Sequence, residues 1–291
     1  MANAKLTQQV KEHAREQGAV LAGVTGADRL AEAPKGHRPQ DFLEGAKSVV
    51  VVGLPVLRSF VDGYGKWLSN SEMVPETVTE AEVAPNEILS GPKKTMATYW
   101  PRTAINNHIY RRCTYEFLNM ELQRLSFRVA MFLETAGFDT IYMPTTYGST
   151  FSWKIGFPVP NAMGPFCHRH AAVAAGLGQF GLNNLVLTPQ FGPLARFVSI
   201  ITAAELEPDP LCEEQLCLGE ECSRCKDECP NEAFTDKTRE YDYGGTHVRE
   251  WVMDVPRCAD YKRPDRVPCT RQCWSTCPVG LKKKRPPAES H

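Results

Sequence analysis

The sequence has no hydrophobic run long enough to cross a membrane. Its best apolar stretch, Val49 to Leu57, is about half of the roughly 18 residues that a transmembrane helix needs. Residues Met1 to Val10 are polar and charged where a signal peptide carries an apolar centre, and no twin-arginine pair occurs there. These absences predict a cytoplasmic protein that does not enter a membrane.

An excess of charge of either sign is also missing. Lys plus Arg total 33 and Asp plus Glu total 34, so the formal net charge is −1. This balance argues against a broad basic surface for nucleic acid and against an acidic solvating tail. With 291 residues, the chain is long enough for one substantial domain with a smaller appendage, or for two modest domains.

Cysteine is scarce over most of the chain and crowded at one end. Of the 11 cysteines, only Cys113 and Cys167 precede residue 212. The cytosol keeps thiols reduced, so clustered cysteines in a chain without an export signal indicate metal or redox chemistry rather than disulfides. The C-terminal third, residues 206–280, is therefore predicted to be a separate cofactor module, followed by a basic tail at 281–291 that contains Lys282 to Arg285.

Residue periodicity predicts an α+β domain over residues 1–205. The β-branched run Ser48 to Leu54 has no polar alternation, which indicates a strand buried on both faces. Residues 68–98 lack sustained periodicity and are predicted to form a long loop or lid. Helices are predicted from Leu6, with Gly18 as C-cap, at Asp41 to Gly45, Ile105 to Ala136 and His168 to Gly178, and further strands at Val20 to Val24, Asp139 to Met143, Leu185 to Thr188 and Ala195 to Thr202.

The crowded cysteines form two groups that each match part of the bacterial ferredoxin pattern. That pattern, C-x2-C-x2-C-x3-C-P, occurs twice in two-cluster ferredoxins, and the fourth thiolate of each group binds the other cluster. Each group here ends in Cys-Pro, at Cys229-Pro230 and Cys277-Pro278, and each has one irregular spacing. Crossing the fourth ligands predicts two 4Fe-4S clusters, the first held by Cys217, Cys222, Cys225 and Cys277 and the second by Cys229, Cys258, Cys269 and Cys273.

Two alternatives remain open for these cysteines. Paired thiolates also build structural zinc sites, although zinc ribbons do not need two cysteine-proline endings with crossed spacing. Cys212 could replace Cys217 as a ligand on spacing alone. Cys113, at helical spacing from Phe117, is predicted to be a core side chain, and Cys167 is a structural thiol or a thiol near a site.

Three further stretches, together with the cysteines, match the pattern of a known family. They are QGAVLAGVT at 17–25, GAKSVVVVGLP at 45–55 and above all AAVAAGLGQFGLNNLVLTPQFGPLAR at 171–196. Over nearly the whole chain the sequence resembles the epoxyqueuosine reductase and reductive dehalogenase superfamily. The resemblance implies a nitroreductase-like domain that binds cobalamin, followed by a ferredoxin-like module whose two 4Fe-4S clusters supply it with electrons.

The resemblance also implies where the corrinoid would bind. Glycines in the 176–181 stretch would let the backbone approach a flat macrocycle, and neighbouring asparagines could hydrogen-bond its amides. The alternative is that the glycines only cap a helix and turn a corner. The implied cofactor-binding residues are Gly176, Gly178, Gly181, Asn183, Asn184, Thr188 and Arg196.

The sequence departs from the family in ways that bear on function. The stretch Tyr99 to Tyr110 contains no Asp or Glu, so the acidic proton donor of epoxyqueuosine reductases is missing there. The chain also lacks the helical repeats with which those enzymes hold tRNA, which makes a tRNA substrate doubtful. Reduction still needs a proton source, and the candidates are Tyr110, His108, Tyr147, His168 and His170, with Arg102, Lys154 or Arg169 as cationic neighbours.

The sequence therefore predicts a corrinoid- and iron-sulfur-dependent reductase of a small organic substrate, with a ferredoxin or flavodoxin as electron donor. A second hypothesis is a protein that binds or reduces a corrinoid for a partner and has no organic substrate of its own. A third is an iron-sulfur electron carrier without a corrinoid. Metal content and activity distinguish the three hypotheses.

Overall fold

The computed structural model describes residues 3–58, 60–61, 114–145, 164–259 and 272–280. The predicted lid at 68–98 and the predicted tail at 281–291 lie outside these residues, as does the first part of the predicted helix Ile105 to Ala136. No helix in the described ranges is long and apolar enough to cross a membrane.

Helices and strands alternate irregularly along the chain, and the last third contains a hairpin. In chain order the elements are α1 (Ala4–Glu16), β1 (Leu21–Gly26), a 3-10 turn (Ala27–Leu30), α2 (Pro39–Phe42), β2 (Ser48–Pro55), α3 (Phe117–Thr135), β3 (Thr140–Tyr142), α4 (His168–Ala174), β4 (Gln179–Phe180), β5 (Val186–Leu187), β6 (Ala195–Thr202), a 3-10 turn (Gly219–Glu221), α5 (Arg224–Asp227), β7 (Phe234–Tyr243), β8 (Thr246–Met253), α6 (Val255–Ala259) and α7 (Gln272–Ser275).

The centre of the N-terminal region is a four-stranded sheet in the order β1-β2-β6-β3, with every neighbouring pair antiparallel. Val50 and Val52 of β2 belong to a core that includes buried residues of α1 and α3. Val49 and Val51 belong to a second core that includes the alanines of α4. The prediction of a strand buried on both faces is therefore confirmed.

Glycines end three helices, two of them at the predicted residues, Gly18 and Gly137. After α1, the N–H of Ala19 donates to the carbonyl of Ala14 and the N–H of Gly18 to that of Arg15. The same pair of bonds, a Schellman motif, follows α3 at Gly137 and α4 at Gly176. Each of these glycines has a positive φ, between +70° and +106°. The predicted extension of α4 to Gly178 is wrong, because the left-handed residue at 176 ends the helix.

The hairpin β7–β8 was not predicted from the sequence. Gly244 and Gly245 form its tip, with φ of 62° and 80°, and the pairing extends from Tyr243↔Thr246 to Phe234↔Met253. Two glycines between β-rich runs are typical of a two-residue hairpin turn. The hairpin fills the chain between the two cysteine groups, so the C-terminal third contains a substantial β element.

Hydrogen bonds join the C-terminal third to the sheet region. Arg29 donates to the carbonyls of Ala174 and Asp209 at 2.9 and 2.8 Å. The side chain of Gln179 donates to the carbonyl of Cys212 at 2.9 Å. The N–H of Trp251 donates to the carbonyl of Leu182, also at 2.9 Å. The cysteine segments are thereby held against the 176–193 stretch.

Candidate metal centre

Four cysteines from two distant parts of the chain line one cavity. They are Cys217, Cys222, Cys225 and Cys277, and the apolar side chains of Leu182, Leu187 and Val279 lie among them. These four are the thiols that the crossed ferredoxin pattern assigns to the first cluster. In the described part of the chain, no three His, Cys, Asp or Glu side chains are placed to bind one metal ion directly.

Local backbone structure brings the first three of these thiols to the cavity. Gly219 has a φ of +77° and begins a 3-10 turn in which the N–H of Cys222 donates to its carbonyl at 3.1 Å. This turn takes up the irregular spacing between Cys217 and Cys222. The short helix α5 follows at once, and it buries Cys225.

The fourth thiol is positioned by a close approach of two backbones. A Cβ atom on Gly192 would lie 2.0 Å from the carbonyl oxygen of Val279, and one on Gly280 would lie 2.3 Å from the nitrogen of Gly192. Any side chain at either position would therefore separate the two segments. The 188–192 turn of the sheet region thus holds the chain segment that carries Cys277.

The shared cavity changes the acidity of two of its thiols. Burial and the neighbouring Cys217, Cys277 and Cys222 together raise the pKa of Cys225 to about 11. Burial also raises the pKa of Cys277. Thiolates this close to one another need a cationic partner if all are to ionise, and ligand thiols are deprotonated when a metal binds.

The thiols predicted for the second cluster are described only in part. Cys229 and Cys273 pack against the same core as Cys225, Phe234 and Trp251. Cys229 accepts a hydrogen bond from the N–H of Ala233, with an N–Sγ distance of 3.4 Å. Cys258 lies on α6, and Cys269 lies outside the described residues.

The alternative ligand Cys212 is placed differently from Cys217. Both thiols pack beside Leu187, Leu216 and Cys277, but Cys217 lines the four-thiol cavity and Cys212 is not among its lining residues. This placement favours Cys217.

The asparagines implied for corrinoid binding contact the cysteine segments instead. The side-chain amide of Asn183 donates to the carbonyl of Cys273 at 3.1 Å, and that of Asn184 donates to the carbonyl of Trp251 at the same distance. Asn184 adopts a left-handed conformation with a φ of 62°. Both residues are buried, and they connect the sheet region to the cysteine module.

The glycines implied for corrinoid binding lie against other backbone. A Cβ atom on Gly176 would lie 2.0 Å from the carbonyl oxygen of Pro210, and one on Gly178 would lie 2.1 Å from that of Leu187. A Cβ on Gly181 would lie 2.8 Å from the Leu187 side chain. Packing within the protein accounts for these glycines, as the alternative interpretation has it, and a corrinoid role for them stays a prediction.

The other two implied cofactor contacts also have partners within the chain. Thr188 is fully buried, and its hydroxyl accepts a hydrogen bond from the N–H of Phe191 at 3.0 Å. The guanidinium of Arg196 lies 4.4 Å from the ring centroid of Tyr115.

His168, one of the proton-donor candidates, is half-buried in a way that favours a structural role. Its Nε2 lies 2.9 Å from the carbonyl oxygen of Pro144, which can only accept, so this nitrogen carries the proton. Its Nδ1 lies 2.9 Å from the hydroxyl of Ser199 and accepts from it. Burial lowers the pKa of His168 to about 4, so the ring is neutral at physiological pH.

His170 instead belongs to a reactive group of side chains. Its Nδ1 lies 2.9 Å from the Sγ of Cys167, and its Nε2 lies 3.3 Å from the hydroxyl of Tyr241. Burial of the sulfur raises the pKa of Cys167, but the hydrogen bond and charge of His170, together with Arg169, outweigh it and hold this pKa at about 6. The group was missed because Tyr241 lies on the unpredicted hairpin.

The remaining proton-donor candidates, Tyr110, His108 and Tyr147, lie outside the described residues. The same holds for the stretch Tyr99 to Tyr110 and for Lys154.

Comparisons with known proteins support a relationship to reductive dehalogenases. A tetrachloroethene reductive dehalogenase of Sulfurospirillum multivorans is 30% identical over 129 residues, which cover 42% of this chain and 25% of the dehalogenase. One of Desulfitobacterium hafniense is 26% identical over 167 residues, covering 54% and 26%. No protein-family model matches the chain. The chain spans about a quarter of the length of these curated relatives.

Solved structures of both branches of the superfamily share the fold. The epoxyqueuosine reductase of Streptococcus thermophilus aligns with a TM-score of 0.52 and 18% identity, over 96% of this chain and 67% of that one. A catabolic reductive dehalogenase aligns with a TM-score of 0.58 and 16% identity, over 95% and 32%. The predicted resemblance to the superfamily is confirmed. The mixed helix and strand architecture described above is therefore that of the epoxyqueuosine reductases and reductive dehalogenases.

Proposed function

We propose that this chain is an iron-sulfur-dependent reductase of the reductive dehalogenase and epoxyqueuosine reductase type. In this proposal residues 1–205 form a nitroreductase-like domain, and residues 206–280 form a ferredoxin-like module that holds two 4Fe-4S clusters. The single observation that carries it is the meeting of Cys217, Cys222, Cys225 and Cys277 at one cavity. Reductase chemistry at the family level is supported by the dehalogenase relatives.

The donor set at this cavity suits a 4Fe-4S cluster. Four thiols are the usual ligands of such clusters, and the apolar side chains of Leu182, Leu187 and Val279 limit access of water to the thiols. When bound, such clusters supply one-electron transfer. For the second cluster the proposal uses Cys229, Cys258, Cys269 and Cys273.

The corrinoid part of the proposal rests on the resemblance alone. Cobalamin is expected in this superfamily, but the described side chains of the 176–196 stretch are engaged by the protein itself. Asn183 and Asn184 donate to backbone carbonyls, and Gly176 and Gly178 meet backbone oxygens. The described residues therefore do not form a site that fits a corrinoid.

We further propose that the substrate is a small organic molecule and that a ferredoxin or flavodoxin delivers the electrons. As the sequence predicts, the proposal places the protein in the cytoplasm and does not include a tRNA substrate. Among the described residues, His170 is the best placed of the proton-donor candidates, because it bridges an acidic thiol and the Tyr241 hydroxyl.

An iron-sulfur protein that transfers electrons, or handles a corrinoid for a partner, is the second candidate. The specific observation in its favour is the engagement of Asn183, Asn184 and Thr188 in contacts within the protein. Such a protein would carry the same clusters and would transform no organic substrate.

The deciding experiment measures iron, acid-labile sulfide and cobalt on protein purified without oxygen from cells supplied with cobalamin. We expect about eight irons per chain, with one cobalt if the corrinoid part is correct. The variant Cys225→Ala should lose about half of the iron, whereas the matched control Cys212→Ala should keep all of it. Unchanged iron in Cys225→Ala would refute the ligand assignment, and about eight irons without cobalt would favour the second candidate.

A further inference from the structure

Trp251 carries a buried hydrogen-bond donor for which the described residues supply no acceptor. Its side chain is only 4% exposed, and within the described residues its Nε1 finds no partner. An indole N–H can only donate, and a buried donor without an acceptor costs folding free energy. The group therefore indicates an acceptor that the described part of the polypeptide does not provide.

The surroundings of Trp251 restrict the nature of that acceptor. We define the thiol core as the packed cluster of Leu182, Cys217, Cys225, Cys229, Phe234, Trp251, Met253 and Cys273. Among the side-chain atoms of this set, only the sulfurs of the cysteines and of Met253 can accept a hydrogen bond. The thiols belong to the predicted ligand sets of both clusters, so Trp251 lies where the two sets meet.

The indole is also held in place. On β8 the N–H of Trp251 donates to the carbonyl of Leu182 at 2.9 Å, and its carbonyl accepts from Asn184 at 3.1 Å. The ammonium of Lys226 lies 4.9 Å from the centroid of its ring. Contacts on the backbone and on the ring thus fix an indole that packs in the thiol core and whose N–H is buried.

We propose that the indole N–H of Trp251 donates a hydrogen bond to a sulfur atom of a 4Fe-4S cluster held by these cysteines. This inference rests on the proposed function. Reduction adds negative charge to a cluster, and an N–H directed at one of its sulfur atoms stabilises that charge. Hydrogen bonds to the sulfurs are among the features that set cluster potentials. Trp251 is accordingly a tuning residue that raises the reduction potential of one cluster.

The test is a potentiometric titration of the anaerobic holoprotein, with the reduced clusters followed by electron paramagnetic resonance. In Trp251→Phe we expect the reduced-to-oxidised ratio of one cluster to fall about tenfold at a fixed solution potential, the size expected for loss of one hydrogen bond to a charged group. For a one-electron couple this corresponds to about 59 mV. The matched control Phe234→Leu changes the volume of the same core without removing a donor and should shift the ratio much less.

Iron content separates failure of this inference from failure of the proposed function. A wild-type protein without iron-sulfur clusters refutes both, whereas an iron-replete Trp251→Phe variant with unchanged potentials refutes only the role of Trp251. Equal shifts in Trp251→Phe and Phe234→Leu would also overturn it, because packing would then explain the change. If Trp251→Phe does not fold, 3-benzothienylalanine at position 251 keeps the ring shape without the N–H, and the same lowered ratio is expected.

Discussion

The sheet region and the cysteine module of this protein differ in how completely their described side chains fill the interior. The four valines of β2, at 49–52, are fully buried, and both faces of the sheet are covered by helices. Around the thiol core, by contrast, four thiols border a cavity and the Trp251 indole has no acceptor in the described residues. The sheet region is stabilised by the hydrophobic effect, whereas in our proposal the cysteine module is built around the clusters that it binds.

The 176–193 stretch joins the sheet region to the cysteine module through two kinds of contact. Backbone approaches too close for any side chain, between Gly176 and Pro210 and between Gly192 and Val279, set the spacing between the two regions. The buried amides of Asn183 and Asn184 then fix their register. The 176–193 stretch is thus a connector, which explains its density of glycine and asparagine without reference to any cofactor.

Removal of iron should produce the largest difference between the two regions. After anaerobic chelation we expect amide exchange in β7, β8 and the 217–229 segment to rise about a hundredfold or more, because metal binding contributes folding free energy. That change is about 3 kcal/mol or more. Exchange in β2 and β6 should change little. Hydrogen exchange with mass spectrometry measures both regions in one sample, and equal loss of protection in β2 would contradict the comparison.

We expect a smaller effect, on the free energy of unfolding, when one hydrogen bond between the sheet region and the cysteine module is removed. Asn184→Gly keeps the left-handed backbone but removes the hydrogen bond to Trp251, and it should cost about 1 kcal/mol of unfolding free energy. Chemical denaturation monitored by far-ultraviolet circular dichroism measures this loss.

The matched control for this change is Glu232→Gly, since Glu232 is the other non-glycine residue described with a positive φ, at 49°. Its side chain is exposed, so the substitution should alter stability by less than about 0.5 kcal/mol. A loss in Glu232→Gly as large as that in Asn184→Gly would mean that the backbone conformation, and not the amide contact, sets the cost.

Much of the fold could be predicted because local signals agreed with the tertiary structure. The valines of β2 have no polar alternation, and Gly18 and Gly137 follow their helices at the expected positions. The meeting of Cys277 with Cys225 followed from the known crossing of ligands in two-cluster ferredoxins. What could not be predicted depends on long-range contacts, since nothing near Asn184 in the sequence indicates a bond to Trp251. The hairpin does have a local sequence signal, because Gly244-Gly245 is typical of a two-residue turn.

We expect the smallest effect in the reactivity of Cys167, which lies where α4 of the sheet region meets Tyr241 of the hairpin. Its pKa of about 6, lowered from 9.0, predicts that alkylation by iodoacetamide reaches half of its maximal rate near pH 6. Mass spectrometry of the Cys167 peptide at pH values on both sides of this midpoint measures the rate, with Cys212 in the same digest as reference.

His170→Ala is the variant that tests the cause of this reactivity. It removes the imidazole 2.9 Å from the sulfur, so the midpoint of alkylation should move upward by more than one pH unit, because the burial that raises the pKa remains. The exchange of β2 and of β7 should stay as in the wild type, since the pair contributes reactivity rather than packing. An unchanged midpoint in His170→Ala would show that Cys167 owes its acidity to Arg169 and not to a pair formed where the two regions meet.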